Sequence, residues 1–173
     1  MARFVVVLPL VPLAAGDEFT VADWPLHVTL VEPFATELTA EAVADVLGPV
    51  ASSASVIQAA AGDEAMFGRR RDVPVTLIRD DGELEALRIR ALEAIRVAGV
   101  HVEVDPSHAE FRPHVTRKRR GRLRPGDRVV LETVALIDMR PPEGSHHRRV
   151  MAVWRLGGAS AQQVETGAKP PPP

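Results

Sequence analysis

The sequence predicts an α+β fold of two pseudo-symmetric βα lobes, with mostly antiparallel sheets flanking a central groove. Two observations carry this: short β-rich runs outnumber helical stretches, and one half of the chain partly repeats the other. At 173 residues with 46% apolar and 25% charged side chains, the chain suits one globular domain with a substantial core. That domain is expected over residues 1–157, followed by a Pro-rich, flexible tail over 158–173 that ends in Pro170 to Pro173.

Strands are expected at Arg3–Leu8, Leu26–Val31, Ser55–Ala60, Pro74–Ile78, Val100–Val104, Pro113–Arg117, Arg128–Ile137 and Arg149–Leu156, each rich in β-branched or alternating apolar residues. Arg3 and the apolar run behind it have the outline of a signal peptide. Pro9, Pro12 and the β-branched Val5-Val6-Val7 core read instead as a buried first strand. A first helix is predicted over Thr39–Leu47, where Val43, Val46, Leu47 and Val50 keep helical spacing until Gly48-Pro49 stops or breaks it. A second starts at an Asp80-x-x-Glu83 capping box, carries Leu84, Leu87, Ala91, Ile95 and Ala98 on one face and ends at Gly99.

Composition narrows the chemistry. No cysteine is present, so thiolate nucleophiles, disulfides and cysteine-ligated zinc are excluded, and a reducing cytoplasm is the simplest location. No stretch approaches the roughly 20 apolar residues of a membrane span. A net charge of −2 confines any nucleic-acid contact to a local patch.

The repeat supplies the candidate site. Trp24-Pro25-Leu26-His27-Val28-Thr29 and Phe111-Arg112-Pro113-His114-Val115-Thr116 each set an aromatic residue three positions before His-Val-Thr, with a proline between. On a strand, His27 and Thr29 share one face while Val28 packs behind them, and His114, Thr116 and Val115 do the same. Side by side, such strands offer two imidazoles and two hydroxyls around a space suited to a phosphate. Phosphodiester cleavage needs a base for the attacking oxygen and an acid for the leaving one, and two histidines with different environments supply both. The threonines would hold the non-bridging oxygens. This scheme requires neither metal nor cofactor.

These paired motifs resemble the His-x-Thr signatures of the two-histidine phosphoesterase superfamily, which includes 2′-5′ RNA ligase-like proteins and RNA 2′,3′-cyclic phosphodiesterases. The resemblance spans most of Arg3 to Leu156 and implies a bilobal fold with no catalytic metal. It further implies that His27 and His114 are the acid/base pair and that Thr29 and Thr116 hold phosphate. The family motif normally ends in an apolar residue; Leu30 satisfies this and Arg117 does not.

Flanking residues add binding candidates. Seven of the 21 basic residues crowd between Arg112 and Arg124, and Arg112, Arg117 and Lys118 lie nearest the second motif, where they either bind flanking phosphates or form a solvated loop. Trp24 and Phe111 suit base stacking or core packing. Arg69-Arg70-Arg71 reads as surface rather than site. His146-His147 and the set His101, Asp105, His108 match no standard metal-ligand spacing. The expected activity is metal-independent hydrolysis of a 2′,3′-cyclic phosphate by a monomer, on an RNA end or small nucleotide. Rival readings keep the site but act on 2′-5′ linkages or cyclic oligonucleotides, or keep the fold as an RNA-binding module without turnover.

Overall fold

The structure, a computed structural model, describes residues 1–103 and 110–157. Nine strands form one antiparallel sheet: β1 (Ala2–Pro9), β2 (Glu18–Thr20), β3 (His27–Thr36), β4 (Ile57–Phe67), β5 (Val73–Arg79), β6 (His114–Thr116), β7 (Arg128–Leu131), β8 (Thr133–Asp138) and β9 (His147–Arg155). Among the described residues two α-helices, α1 (Ala40–Ser52) and α2 (Glu83–Val97), follow β3 and β5. Spatial order is β2-β9-β8-β1-β3-β6-β5-β4-β7. Outward from the β3/β6 seam, β1, β8 and β9 on one side answer β5, β4 and β7 on the other. The predicted two-lobed α+β fold is therefore present, as two halves of one continuous sheet.

Apolar alternation decides what each face covers. Phe4, Val6 and Leu8 of β1, Val28 and Leu30 of β3 and Val115 of β6 enter the main core beneath the helices, where they meet Leu47, Leu84 and Leu87. Val5 and Val7 point the other way, into a second cluster with Ala135, Ile137 and Val150 that Phe19 and Trp24 help cover. Burial on both faces explains why β1 reads as an unbroken apolar run. Each such side chain contributes about 1.5–3 kcal/mol when fully buried.

Several boundaries differ from expectation. Gly48-Pro49 does not end α1, which runs on to Ser52 from its Thr39 cap, whose hydroxyl accepts the Ala42 N–H. Gly48 serves packing: a Cβ there would come within 3.2 Å of the Trp154 indole Nε1. The capping box does not form at α2, where Gly82 in the left-handed region is the N-cap, and Asp80 accepts the N–H of Leu84 instead. At the far end the Gly99 N–H bonds the Arg96 carbonyl and the Val100 N–H bonds that of Ile95, a Schellman closure.

That closure corrects the strand expected at Val100–Val104. Residues 100–103 form no strand, because Val100 is the buried apolar residue that seals the helix end; Val104 lies outside the described residues. The single run Arg128–Ile137 proves to be two strands parted at Glu132, with β7 on β4 and β8 on β1. Both β3 and β4 extend past their expected ends, β3 through an exposed Pro33 that falls where its pairing with β1 slips. Strand β2, three residues long, has no counterpart among the expected strands. The expected tail, 158–173, lies outside the described residues.

Candidate active site

Val28 pairs with Val115 across the antiparallel seam. In that register His27 falls opposite Thr116, and Thr29 opposite His114, so the motifs interlock head to tail. All four side chains are half-buried on the face away from the helices. The buried valines behind them anchor both strands to the main core. Arg117, the departure from the apolar pattern, lies beyond the end of β6; its N–H donates to the Pro74 carbonyl and its side chain is exposed. Leu30, its counterpart, is buried because β3 continues where β6 stops.

Each imidazole is oriented by its own chain. Nδ1 of His27 lies 2.8 Å from the Pro25 carbonyl oxygen, and Nδ1 of His114 lies 2.8 Å from that of Arg112. A carbonyl only accepts, so Nδ1 carries the proton in both rings, and in His27 Nε2 is left for chemistry. The acceptor is the residue two before the histidine in both cases, proline in one motif and arginine in the other. Burial is the main cause lowering the His27 pKa to about 4; it outweighs the Pro25 hydrogen bond, and the charges of Lys118 and His114 add to it. His27 is therefore neutral at physiological pH.

The two halves differ in what surrounds these rings. Trp24 stacks on His27 at 4.3 Å between centroids, and carries Lys118 Nζ at 5.6 Å and the Arg148 guanidinium at 5.4 Å. Lys118 gets there because its loop doubles back through a Lys118–Gly121 bridge, with Gly121 lying against Leu26. Arg148 is buried and donates to the carbonyls of Met139, Ser145 and His147; nothing in its local sequence marks it for this place. Around His114 the aromatic partner is Phe67 of β4, edge-on at 4.6 Å, with Arg112 over its ring at 5.0 Å. Phe111, the repeat's counterpart of Trp24, does not stack on its histidine.

Phe111 instead lies beneath the guanidinium of Arg88, 4.7 Å from its ring centroid. Arg88 projects from α2, is buried, and donates to the Leu30 carbonyl at 2.7 Å and to Glu32 at 2.8 Å. One side chain thus ties the first motif strand to the segment leading into the second. Its position among apolar helix residues gives no reason to expect this.

A groove of about 1060 Å³ opens beside His114 and Thr29, lined also by Phe67, Arg69, Arg71 and Arg112. Arg69 and Arg71, expected on plain surface, are at the site because the β4–β5 hairpin overhangs it. The basic cluster divides: Arg112 and Lys118 face the site, Arg120 pairs with Asp23 at 3.5 Å, and Arg117, Arg119, Arg122 and Arg124 are exposed. Among the described residues no three His, Asp or Glu side chains gather as a metal site. His101 and His146 are exposed, and Asp105 and His108 lie outside the described residues.

Residues 13–158 match the model of the 2′-5′ RNA ligase superfamily. The chain belongs to this superfamily. Solved structures share its fold: a protein described only as a phosphoesterase is 17% identical and aligns over 90% of this chain and 99% of its own, with a TM-score of 0.59. Escherichia coli LigT, crystallised with 3′-AMP, is 16% identical over 91% of this chain and 99% of its own, with a TM-score of 0.58. The protein TT0787 of Thermus thermophilus is 18% identical over 91% and 100%, at 0.55. No curated protein matches the chain. This superfamily member is thus a two-histidine phosphoesterase of LigT-like fold. No helix among its described residues is long and apolar enough to cross a membrane.

Proposed function

We propose that this protein is a metal-independent, cytoplasmic phosphodiesterase that opens a 2′,3′-cyclic phosphate on a nucleotide or RNA end, acting as a monomer. The pairing of Val28 with Val115 carries the reading, since it brings both His-Val-Thr motifs to one surface. A water oxygen bonds phosphorus as the bond from phosphorus to one ribose oxygen breaks. Neutral His27 accepts the water proton at Nε2, protonated His114 donates its Nε2 proton to the departing oxygen, and solvent resets both rings. Thr29 and Thr116 hold the non-bridging oxygens while phosphorus is attacked in line. Lys118 adds positive charge on the His27 side and Arg112 on the His114 side. Crystallisation of E. coli LigT with 3′-AMP, phosphate, ATP and NADP+ supports a nucleotide ligand for this fold.

The test is turnover of 2′,3′-cyclic mononucleotides and of RNA ending in a cyclic phosphate, with products identified. His27→Ala and His114→Ala should each lower kcat by at least about a hundredfold, as loss of an acid or base does, with unchanged circular dichroism. Full activity in either variant would sink the mechanism. The superfamily's description favours one second reading on the same residues, 2′-5′ linkages; exclusive turnover of those would replace the cyclic substrate.

A further inference from the structure

The two sides of the motif pair are unequally open. On the His27 side Trp24 is occupied by the imidazole, Lys118 and Arg148, and it also packs against Phe19 in the second apolar cluster. On the His114 side lies the groove of about 1060 Å³, just above the roughly 300–1,000 Å³ typical of small-ligand sites. That groove gives a nucleoside room beside His114.

The charges along this groove are not those of a plain nucleoside pocket. The β4–β5 hairpin sets Arg69 and Arg71 on its wall, Arg71 in the left-handed region at φ 52°, and Arg112 joins them from the second motif. Among the described residues none of the three forms a salt bridge with a carboxylate. Of the acids lining the same groove, Glu32 is paired with Arg88, while Glu103 and Glu110 remain to accept from sugar hydroxyls or base amino groups. Guanidinium groups without carboxylate partners, set beside aromatic rings, are a recurrent means of holding single-stranded nucleic acid.

We propose that Arg69, Arg71 and Arg112 form a subsite for the phosphates preceding the reacting one, so that the substrate chain enters from the His114 side across the β4–β5 hairpin. The inference rests on the phosphodiesterase reading and deepens it: an RNA 3′ end is preferred to a free cyclic mononucleotide. The terminal ribose then lies beside His114, which protonates its departing oxygen, and the attacking water lies beside His27.

The experiment compares kcat/KM for a cyclic mononucleotide and for a short oligoribonucleotide ending in a 2′,3′-cyclic phosphate, in the wild type and in a double variant. Arg69→Ala with Arg71→Asn is suitable, because asparagine tolerates a positive φ. The wild type should prefer the oligonucleotide by tenfold or more. The double variant should lose at least tenfold more on the oligonucleotide than on the mononucleotide, and the log–log salt slope of oligonucleotide binding should flatten by roughly 0.7 per contact removed. Equal wild-type turnover of both substrates, or equal losses on both, overturns the subsite. If the wild type turns over neither substrate, the phosphodiesterase reading fails by itself, and fluorescence anisotropy with the oligonucleotide decides the subsite. Weaker, less salt-sensitive binding by the double variant supports it, and unchanged binding overturns it.

Discussion

Acidification tests the electrostatic character of the site directly. His27 passes from an ordinary pKa of 6.5 in the unfolded chain to about 4 in the fold, chiefly through burial. Because the folded value is the lower one, the unfolded chain binds the proton more readily, and the neutral ring's contribution is fully present only above the unfolded pKa. It is lost as pH falls from about 6.5 towards 4. Each tenfold difference in proton affinity is worth about 1.4 kcal/mol, so most of a total of about 3 kcal/mol should be gone at pH 4. Urea unfolding of the wild type and His27→Gln in acetate, between about pH 7 and pH 4.5, isolates this effect, since carboxylates and the other histidines titrate in both proteins. The wild type should lose on the order of 2 kcal/mol more than the variant over that interval. The same neutral ring should keep kcat/KM from falling until pH is well below the ordinary histidine range, because that parameter reports the free enzyme. Equal losses in the two proteins, or an NMR titration of the His27 ring centred at or above 6.5, would refute the assignment of burial as the controlling force.

Three further outcomes follow from the same geometry. Arg88→Met should destabilise the fold by about 2–4 kcal/mol, at the lower end of what breaking a buried pair costs because Glu32 keeps some solvent contact, measured by denaturant midpoint; a loss below about 0.5 kcal/mol would show that Arg88 is not the tie between the motifs. Thr29→Val and Thr116→Val keep the side-chain shape and remove the hydroxyl, so each should cost roughly 10- to 100-fold in kcat/KM, the value of a hydrogen bond to a charged group, without altering stability by a comparable amount. Turnover should survive exhaustive EDTA treatment, and loss of activity restored by zinc or manganese would replace the two-histidine mechanism with a metal-dependent one.

What can be read from the sequence is what short-range periodicity encodes. The strands at Arg3–Leu8, Leu26–Val31 and Pro74–Ile78 and both helices occur where apolar spacing places them. The valines behind the two motifs pair as strand alternation requires. Failures arise where tertiary packing overrides a local cue. Gly48-Pro49 reads as a stop, but Gly48 lets α1 lie close to Trp154 and the helix runs through. Arg128–Ile137 reads as one strand, since nothing local marks Glu132 as the crossing between sheet halves. The groove residues are least legible: Phe67, Arg69 and Arg71 follow the polar stretch Gly62-Asp63-Glu64, which hides the second half of β4. Arg88 is a buried cation in a helix whose remaining pattern is ordinary.

The repeat itself is both the strongest guide and an incomplete one. Its His-Val-Thr cores are equivalent in structure, down to the 2.8 Å contact from each Nδ1 to the carbonyl two residues earlier. Its aromatic positions are not equivalent, since Trp24 stacks on His27 whereas Phe111 takes Arg88 and leaves His114 to Phe67. A fixed assignment of acid and base to two like groups requires that their environments differ, because equivalent imidazoles would share a single proton between them. A perfect duplication could not meet that requirement. Here it is met outside the motifs, by the closed Trp24–Lys118–Arg148 packing on one side and the open arginine-lined groove on the other. The proposed division of labour between His27 and His114 therefore depends on residues outside the two His-Val-Thr tripeptides, and exchanging the tripeptides, which are identical, would leave it unchanged.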